Sequence, residues 1–399
     1  MLVHICCSVD SHYFLSELKK ELPDTDFVGF FYNPNIHPKE EHDLRYLDVK
    51  RSCEMLNIPL ILGEYDTEPF FEQTIGLEDE PEKGDRCVKC FDIRLVRSAI
   101  EAQKIGEIDF TSTLLSSPMK EQEVLYQKGD EIAKNYGLRF FKINVRKNGG
   151  VNRQNELAKK DNLYRQNYCG CIYALEKQRD NQGKVALELL SSISSSRALG
   201  SINERKQTFL KRNEVEQSAP YMLCQRTFMI YRVLHGILKN NDGVIYSYIL
   251  SNSQNKNAKI KEIAWVKPEL DFTLLQKSSS MQGMQGQNCK IALDYENGDF
   301  VFGFCNRDDS IFVELSFINM CLQTNFKNIL ELCKNGLDLE SEFLLRSLIC
   351  NVGSINPIVI IDRAFSAPCE LSIKSIFQEE KIFRVVPIAE DKQSVTKKA

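Results

Sequence analysis

Between Leu2 and Ile143, short apolar runs alternate with stretches of helical spacing, and this alternation restricts what the chain can build. Strands that follow one another through helices are joined by crossovers, so they pair in parallel, and the helices then cover both faces of the sheet. The spacing predicts strands at Leu2–Ile5, Phe27–Tyr32, Pro59–Leu62, Phe110–Leu114 and Arg139–Ile143. It predicts helices around Tyr13–Glu21, Glu40–Leu56, Cys90–Lys104 and Lys120–Tyr136. Asn33-Pro34-Asn35 ends the second strand by turn chemistry and by the donor that proline lacks. Parallel sheets gather functional loops at the carboxyl ends of their strands. Cys6-Cys7, Tyr32–Asn35 and Ser116–Lys120 all fall on that edge, so residues distant in sequence can share one cleft.

At 399 residues the chain exceeds a usual single core. We expect an α/β domain over 1–182, a helical linker region over 183–240 and an α+β extension over 241–399. Glu176–Ser196 reads as a helix ending in the serine run Ser191–Ser196, and a helical stretch continues to about Lys239, including Tyr221–Leu238. Tyr246–Ile249, Ile291–Tyr295, Phe300–Phe304, Ile311–Leu315 and Ile358–Asp362 read as strands, with Glu296-Asn297-Gly298 as a hairpin turn. Ser278–Gln287 reads as a flexible loop, Asn325–Asn335 and Leu339–Cys350 as helices, and Lys397-Lys398 as part of a disordered tail.

Composition narrows the function classes. With 43% hydrophobic and 27% charged residues the chain can bury a sizeable core, and a net charge of -4 argues against a globally basic nucleic-acid binder. The N-terminus lacks a secretory pattern and no apolar run reaches membrane-spanning length, so a cytoplasmic protein without membrane contact is expected. In a reducing compartment its 14 cysteines read as thiols, metal ligands or redox groups.

Six of those cysteines form three tight pairs, Cys6-Cys7, Cys87-x-x-Cys90 and Cys169-Gly170-Cys171. Cys87 and Cys90, on a turn entering a helix, can reach one metal centre, either as half of a zinc knuckle or as ligands of an iron–sulfur cluster. Adjacent Cys6-Cys7 tips the balance towards a cuboidal cluster, because neighbouring side chains on an extended strand point to opposite faces. In Cys169-Gly170-Cys171 the glycine lets the chain fold back into a small ring, the labile kind of dithiol, with metal ligation as the other reading. Cys53, Cys224, Cys289, Cys305, Cys321, Cys333, Cys350 and Cys369 are read as small core residues.

Five motifs resemble those of the cobalamin-independent epoxyqueuosine reductases, the QueH family: Val3-His4-Ile5-Cys6-Cys7, Phe31-Tyr32-Asn33-Pro34-Asn35-Ile36, Arg86-Cys87-Val88-Lys89-Cys90, Ser112–Lys120 and Tyr164–Cys171. The resemblance covers about residues 1–180 and leaves the chain after about residue 190 outside it. It implies the last step of queuosine synthesis, removal of the epoxide oxygen from epoxyqueuosine at the wobble position of a tRNA, with electrons from an external donor. It further implies a [4Fe-4S] cluster on Cys6, Cys7, Cys87 and Cys90 and a redox-active pair in Cys169 and Cys171. Many relatives carry a cysteine where this chain has Asp10, whose carboxylate suits an additional mononuclear iron. Capping of the first helix is the other reading of Asp10.

Tyr32, Tyr168 and Asp10 are candidate proton donors by side-chain chemistry. Asn33, Asn35, Ser116, Ser117 and Lys120 are candidate donors to substrate sugar or phosphate, with turn formation and capping as alternatives for the first four. The basic residues Arg139, Lys142, Arg146, Lys147, Arg153, Lys159, Lys160 and Arg165 lead into the Tyr168-Cys169 hairpin and suggest a track for an anticodon-loop backbone, against the plainer reading of a solvated helix face. The competing function is a non-redox zinc-bearing RNA- or nucleotide-binding module. Its sheet would be similar to that of PP-loop or HUP-like nucleotide-binding proteins, but cysteines stand where a Ser-Gly-Gly phosphate loop would follow the first strand.

Overall fold

The computed structural model describes residues 1–184, 186–190, 200–267 and 300–388. The serine run 191–196, the loop 278–287, Cys289, the strand 291–295, the turn 296–298 and the Lys397-Lys398 tail lie outside the described residues.

The chain divides into two compact units, one of residues 1–192, 206–223 and 385–399, the other of 193–205 and 224–384. In the first, β1 (Leu2–Ile5), α1 (Ser8–Glu21), β2 (Val28–Phe31), α2 (Lys39–Met55), β3 (Leu60–Leu62), α3 (Glu68–Thr74), α4 (Asp85–Lys104), β4 (Asp109–Ser112), α5 (Gln122–Tyr136) and β5 (Arg139–Phe140) follow in order. The sheet order is β3-β2-β1-β4-β5, with each pair parallel. Leu2 and Val3 point to opposite faces and neither is accessible to solvent, so helices cover both sides, as the alternating pattern requires. The order reverses direction at β1, whose neighbours β2 and β4 leave a crevice at their carboxyl ends. There the Cys6 N–H donates to Thr113 Oγ1 at 3.3 Å. The expected fifth strand is shorter than the apolar run suggested. It leaves the sheet after Phe140, once the Phe141 N–H has bonded to the Phe110 carbonyl.

After β5 come α6 (Gly150–Lys160), α7 (Ile172–Asn181), α8 (Leu187–Leu190) and α9 (Ile202–Glu216). The helical stretch expected to reach Lys239 ends there. Tyr221–Asn240 is the strand β6, paired antiparallel with β7 (Gly243–Ile245). Its aromatic and β-branched residues, Tyr221, Phe228, Ile230, Tyr231 and Val233 among them, suit a pleated strand better than a helix, and ladder bonds override the helical spacing.

The second unit carries a five-stranded sheet in the order β10 (Ala264–Val266), β11 (Phe302–Phe304), β12 (Ile311–Glu314), β13 (Ile358–Ile361), β8 (Ser247–Ile249). Only β12 and β13 pair in parallel. Helices α10 (Leu315–Leu322), α11 (Ile329–Asn335) and α12 (Leu339–Ile349) accompany it. A second sheet, β7-β6-β14-β9, includes β9 (Lys256–Ile260) and the 19-residue β14 (Cys369–Pro387). Together these form an α+β extension. β14 escaped the sequence reading because its inward positions include Ser375, Gln378 and Glu380, which break the apolar alternation.

Candidate active site

The helix α1 starts immediately after the double cysteine, with Cys7 at its cap position, and this turn brings both thiols to one side. Cys6 Sγ lies 3.9 Å from Cys7 Sγ and 3.7 Å from Asp10 Oδ2. Ligand atoms of Cys6, Cys7 and Asp10 all lie within 4.8 Å of one another. Asp10 therefore does not cap the helix. It occupies the first turn, and its Oδ1 accepts from Gln154 Nε2 at 2.7 Å. Burial raises its pKa against the pull of those hydrogen bonds. The thiols are unequal: a hydrogen bond from Cys7 lowers the Cys6 pKa despite burial, and the same bond followed by burial raises that of Cys7.

The helix expected from Cys90 begins at Asp85, so Cys87 and Cys90 sit within the first two turns of α4 and not on a turn before it. One small cavity is lined by Cys87, Cys90, Cys169, Cys171, Arg94 and Lys120, among others. Burial pushes the Cys90 thiol up to about 12. The fully buried Arg94 feels the charges of Cys90, Cys6, Cys169 and Cys87, so one guanidinium faces all three cysteine pairs. It donates to the Cys90 carbonyl at 3.2 Å and to Asn33 Oδ1 at 3.4 Å.

Arg45 holds the Cys169-Gly170-Cys171 hairpin. Its Nη1 donates to the Cys169 carbonyl and its Nη2 to the Tyr168 carbonyl, each at 3.0 Å, while Nε pairs with Glu41 at 2.7 Å. Gly170 adopts φ +110°, and a Cβ there would stand 2.9 Å from Ile36 Cγ1. Lys120 Nζ donates to Cys169 Sγ at 3.2 Å. Burial opposes ionisation of Cys169, yet the charges of Lys120 and Arg94 outweigh it and leave the thiol below its ordinary pKa. At Cys171 burial outweighs the N–H groups of Ala174 and Tyr173 and the Arg86 charge, and the thiol is raised.

A larger cavity of about 700 Å³ opens on this edge of the sheet. Cys6, Asp10, Cys169, Lys120, Arg94 and Arg165 are among its lining residues. That volume suits a nucleoside-sized ligand. Asn33, Asn35, Ser117 and Tyr168 also line it.

Several candidates are committed elsewhere. Tyr32 donates to Asp66 at 3.2 Å, with its ring parallel to Phe30, and is not among the cavity residues. Tyr168 OH donates to the His37 carbonyl, Asn33 Nδ2 to the Ile5 carbonyl at 2.8 Å, and Ser116 Oγ to Gln154 Oε1 at 2.8 Å. Of the basic run, Arg139 pairs with Asp109, Lys142 with Asp130, and Arg146 donates to the carbonyls of Leu114, Leu115 and Lys120. Arg165 alone of that run lines the cavity.

The sequence reading missed Arg94, Arg45 and Gln154. Arg94 carried a signal, since it follows Cys87 and Cys90 at seven and four residues and so shares their helix face. Arg45 and Gln154 carried none.

The site is a thiol-rich, cationic pocket at the switch point of a parallel α/β sheet, and the proteins this chain is similar to are oxidoreductases. The family model for "Epoxyqueuosine reductase QueH" matches residues 1–177. An epoxyqueuosine reductase QueH of Helicobacter pylori is 38% identical over 96% of this chain and 99% of its own. The QueH of Acinetobacter baylyi is 39% identical over 47% of this chain and 88% of its own, and that of Thermotoga maritima 34% identical over 47% and 95%. The chain belongs to the QueH family of epoxyqueuosine reductases, which sets aside the non-redox zinc module. The family model ends at residue 177, in keeping with the expected extent, and the likeness to the Helicobacter protein runs on through the rest of the chain. No described helix is long and apolar enough to cross a membrane.

Proposed function

We propose that this protein reduces epoxyqueuosine to queuosine at the wobble position of a tRNA in the cytoplasm, with Cys169 and Cys171 carrying the electron pair. The observation that carries the reading is the Lys120–Cys169 contact in the wall of a nucleoside-sized cavity. Removing the epoxide oxygen takes two electrons and two protons and leaves an alkene and water. A dithiol supplies both electrons on becoming a disulfide, which an external donor then reduces. In the balance proposed here, Cys169 starts as a thiolate, and the two protons come from the Cys171 thiol and the Lys120 ammonium.

The donor set fits an iron–sulfur group. Cys6 and Cys7 lie together with the hard Asp10 carboxylate, which suits an additional iron, and the soft thiols of Cys87 and Cys90 on α4 would complete the four ligands of a [4Fe-4S] cluster. When bound, these would supply single electrons and Lewis acidity. The chain's own part is to hold the substrate and its protons. Arg94 would offset the negative charge of thiolates formed at Cys6, Cys87, Cys90 and Cys169, and Gln154 aims Asp10. Arg165, at the exposed rim of the cavity, and Asn35, in its buried wall, offer polar contacts to phosphate and sugar.

Anaerobic incubation with epoxyqueuosine-containing tRNA and dithionite, followed by nucleoside mass analysis, tests this. Queuosine should form, and Cys169→Ser should abolish it while the cluster's visible absorption stays. Loss of that absorption in Cys169→Ser would make the residue a ligand and refute the redox role.

A further inference from the structure

Residues 206–216 come after every cysteine motif and beyond the stretch that the family model matches, yet they belong to the unit with the parallel sheet. Arg212 in this segment has no solvent exposure. A buried guanidinium is costly unless paired and hydrogen-bonded, and its partners show what it is for. Arg212 Nη1 lies 2.6 Å from Asp48 Oδ1 and donates to the Asn162 carbonyl at 2.8 Å, while Nε and Nη2 donate to the neighbouring Asn213 Oδ1 at 3.1 and 2.7 Å.

Asp48 is a junction. Its other oxygen accepts from the Tyr164 N–H at 2.7 Å and from the hydroxyl of Ser8, the residue after Cys7. Tyr164 stands at the foot of the hairpin, and its phenol donates to Glu41 at 2.9 Å. Glu41 pairs with Arg45, which grips the carbonyls of Tyr168 and Cys169. Phe209 packs edge-on against the Tyr164 ring at 5.0 Å, with the Arg212 guanidinium 4.8 Å from the Phe209 ring centroid. A further tie, Glu216 to Arg51, fastens the end of the same helix, and Arg51 in turn feels the Asp48 charge.

We propose that Arg212 is a positioning residue: through Asp48 it fixes both Ser8, beside the double cysteine, and Tyr164, at the base of the Cys169-Gly170-Cys171 hairpin. The segment 206–216 is then part of the active-site scaffold and not a linker. The chemical consequence rests on the proposed redox role of the hairpin; the positional one does not.

The test uses the full chain with Arg212→Ala, Arg212→Lys, Asp48→Asn, the double variant Arg212→Ala/Asp48→Asn, and Glu216→Gln as a control that loosens the same helix while keeping the Arg212, Asp48, Ser8 and Tyr164 side chains. Three quantities are read: kcat and KM on epoxyqueuosine tRNA, the rate at which iodoacetamide alkylates Cys169, and the melting temperature. Arg212→Ala should lower kcat by about ten- to a hundredfold, as small misplacements of reacting groups do, with KM little changed. Cys169 alkylation at neutral pH should slow as the hairpin drifts from Lys120. Arg212→Lys, which keeps a cation for the ion pair with Asp48 and gives up the guanidinium's bonds to Asn162 and Asn213, should fall between, and Glu216→Gln should match the parent. The double variant should cost no more than the worse single one, the mark of coupled groups.

Parent-like kcat and alkylation in Arg212→Ala would overturn the proposal. So would equal losses in Glu216→Gln, which would mean general loosening. If Arg212→Ala does not fold, Arg212→Lys decides by the same two readouts. If Cys169→Ser keeps turnover, the redox reading fails while the alkylation comparison still decides the position of the hairpin.

Discussion

The Lys120 ammonium lies 3.2 Å from the Cys169 thiol, a contact across 49 residues that makes the two cysteines of one hairpin chemically different. Cys169 is held towards thiolate and Cys171 towards thiol, the arrangement a dithiol needs to present one nucleophile and one proton. Lys120, read from sequence as a contact to substrate oxygens, is thus engaged with sulfur.

Lys120→Met should raise the Cys169 pKa. Alkylation of Cys169 followed across pH 6 to 9 should shift to higher pH, with the neutral-pH rate falling on the order of tenfold per unit gained. An unchanged profile would show that Arg94 alone sets the thiolate.

Gly170→Ala should destabilise the protein by about 1–3 kcal/mol, because the backbone is left-handed there and the new methyl meets Ile36 and Arg45. The midpoint of urea unfolding measures the loss. Turnover should fall further than stability does, since the displaced Arg45 also releases the carbonyls of Tyr168 and Cys169.

Iron should be present with acid-labile sulfide in protein isolated without oxygen. Cys6→Ser and Cys90→Ser should lose visible absorption. Asp10→Asn should lower iron per chain and leave sulfide unchanged; parallel loss of both would place Asp10 on the cluster.

His42 is buried against the rings of Phe31 and Tyr65, and burial, opposed by Asp43 and aided by Lys39 and Arg45, lowers its pKa from 6.5 to about 4. The unfolded chain takes up a proton as pH falls through 6.5, and the folded protein resists until about 4. Stability therefore drops as pH falls through that window, at up to about 1.4 kcal/mol per pH unit from this group. His12 and His37 are lowered too and act with the same sign. Melting curves of His42→Phe between pH 4 and 7 should show a shallower slope than the parent.

Much of the fold was legible because strand and helix periods are local. Val3 and Ile5 alternate with His4, all are buried, and the neighbouring segments repeat the pattern, so a doubly covered parallel sheet followed from the sequence. Tyr221–Asn240 was misread for the opposite reason: its spacing fits a helix over short windows, and only its ladders with Gly243–Ile245 and Cys369–Pro387 select the strand. In the site, the cysteine pairs were plain from their spacing, and Arg94 was within reach of the same reasoning.

The sequence by itself determined which residues bring sulfur to the carboxyl edge of the sheet, since strand ends and turn residues are set within a few positions along the chain. Only the tertiary structure decided what surrounds them: Lys120 on Cys169, Gln154 on Asp10, and Arg212 on Asp48 across 164 residues. Such pairings depend on how helices settle against a common core. No local pattern encodes the meeting of two buried charges that distant in the chain.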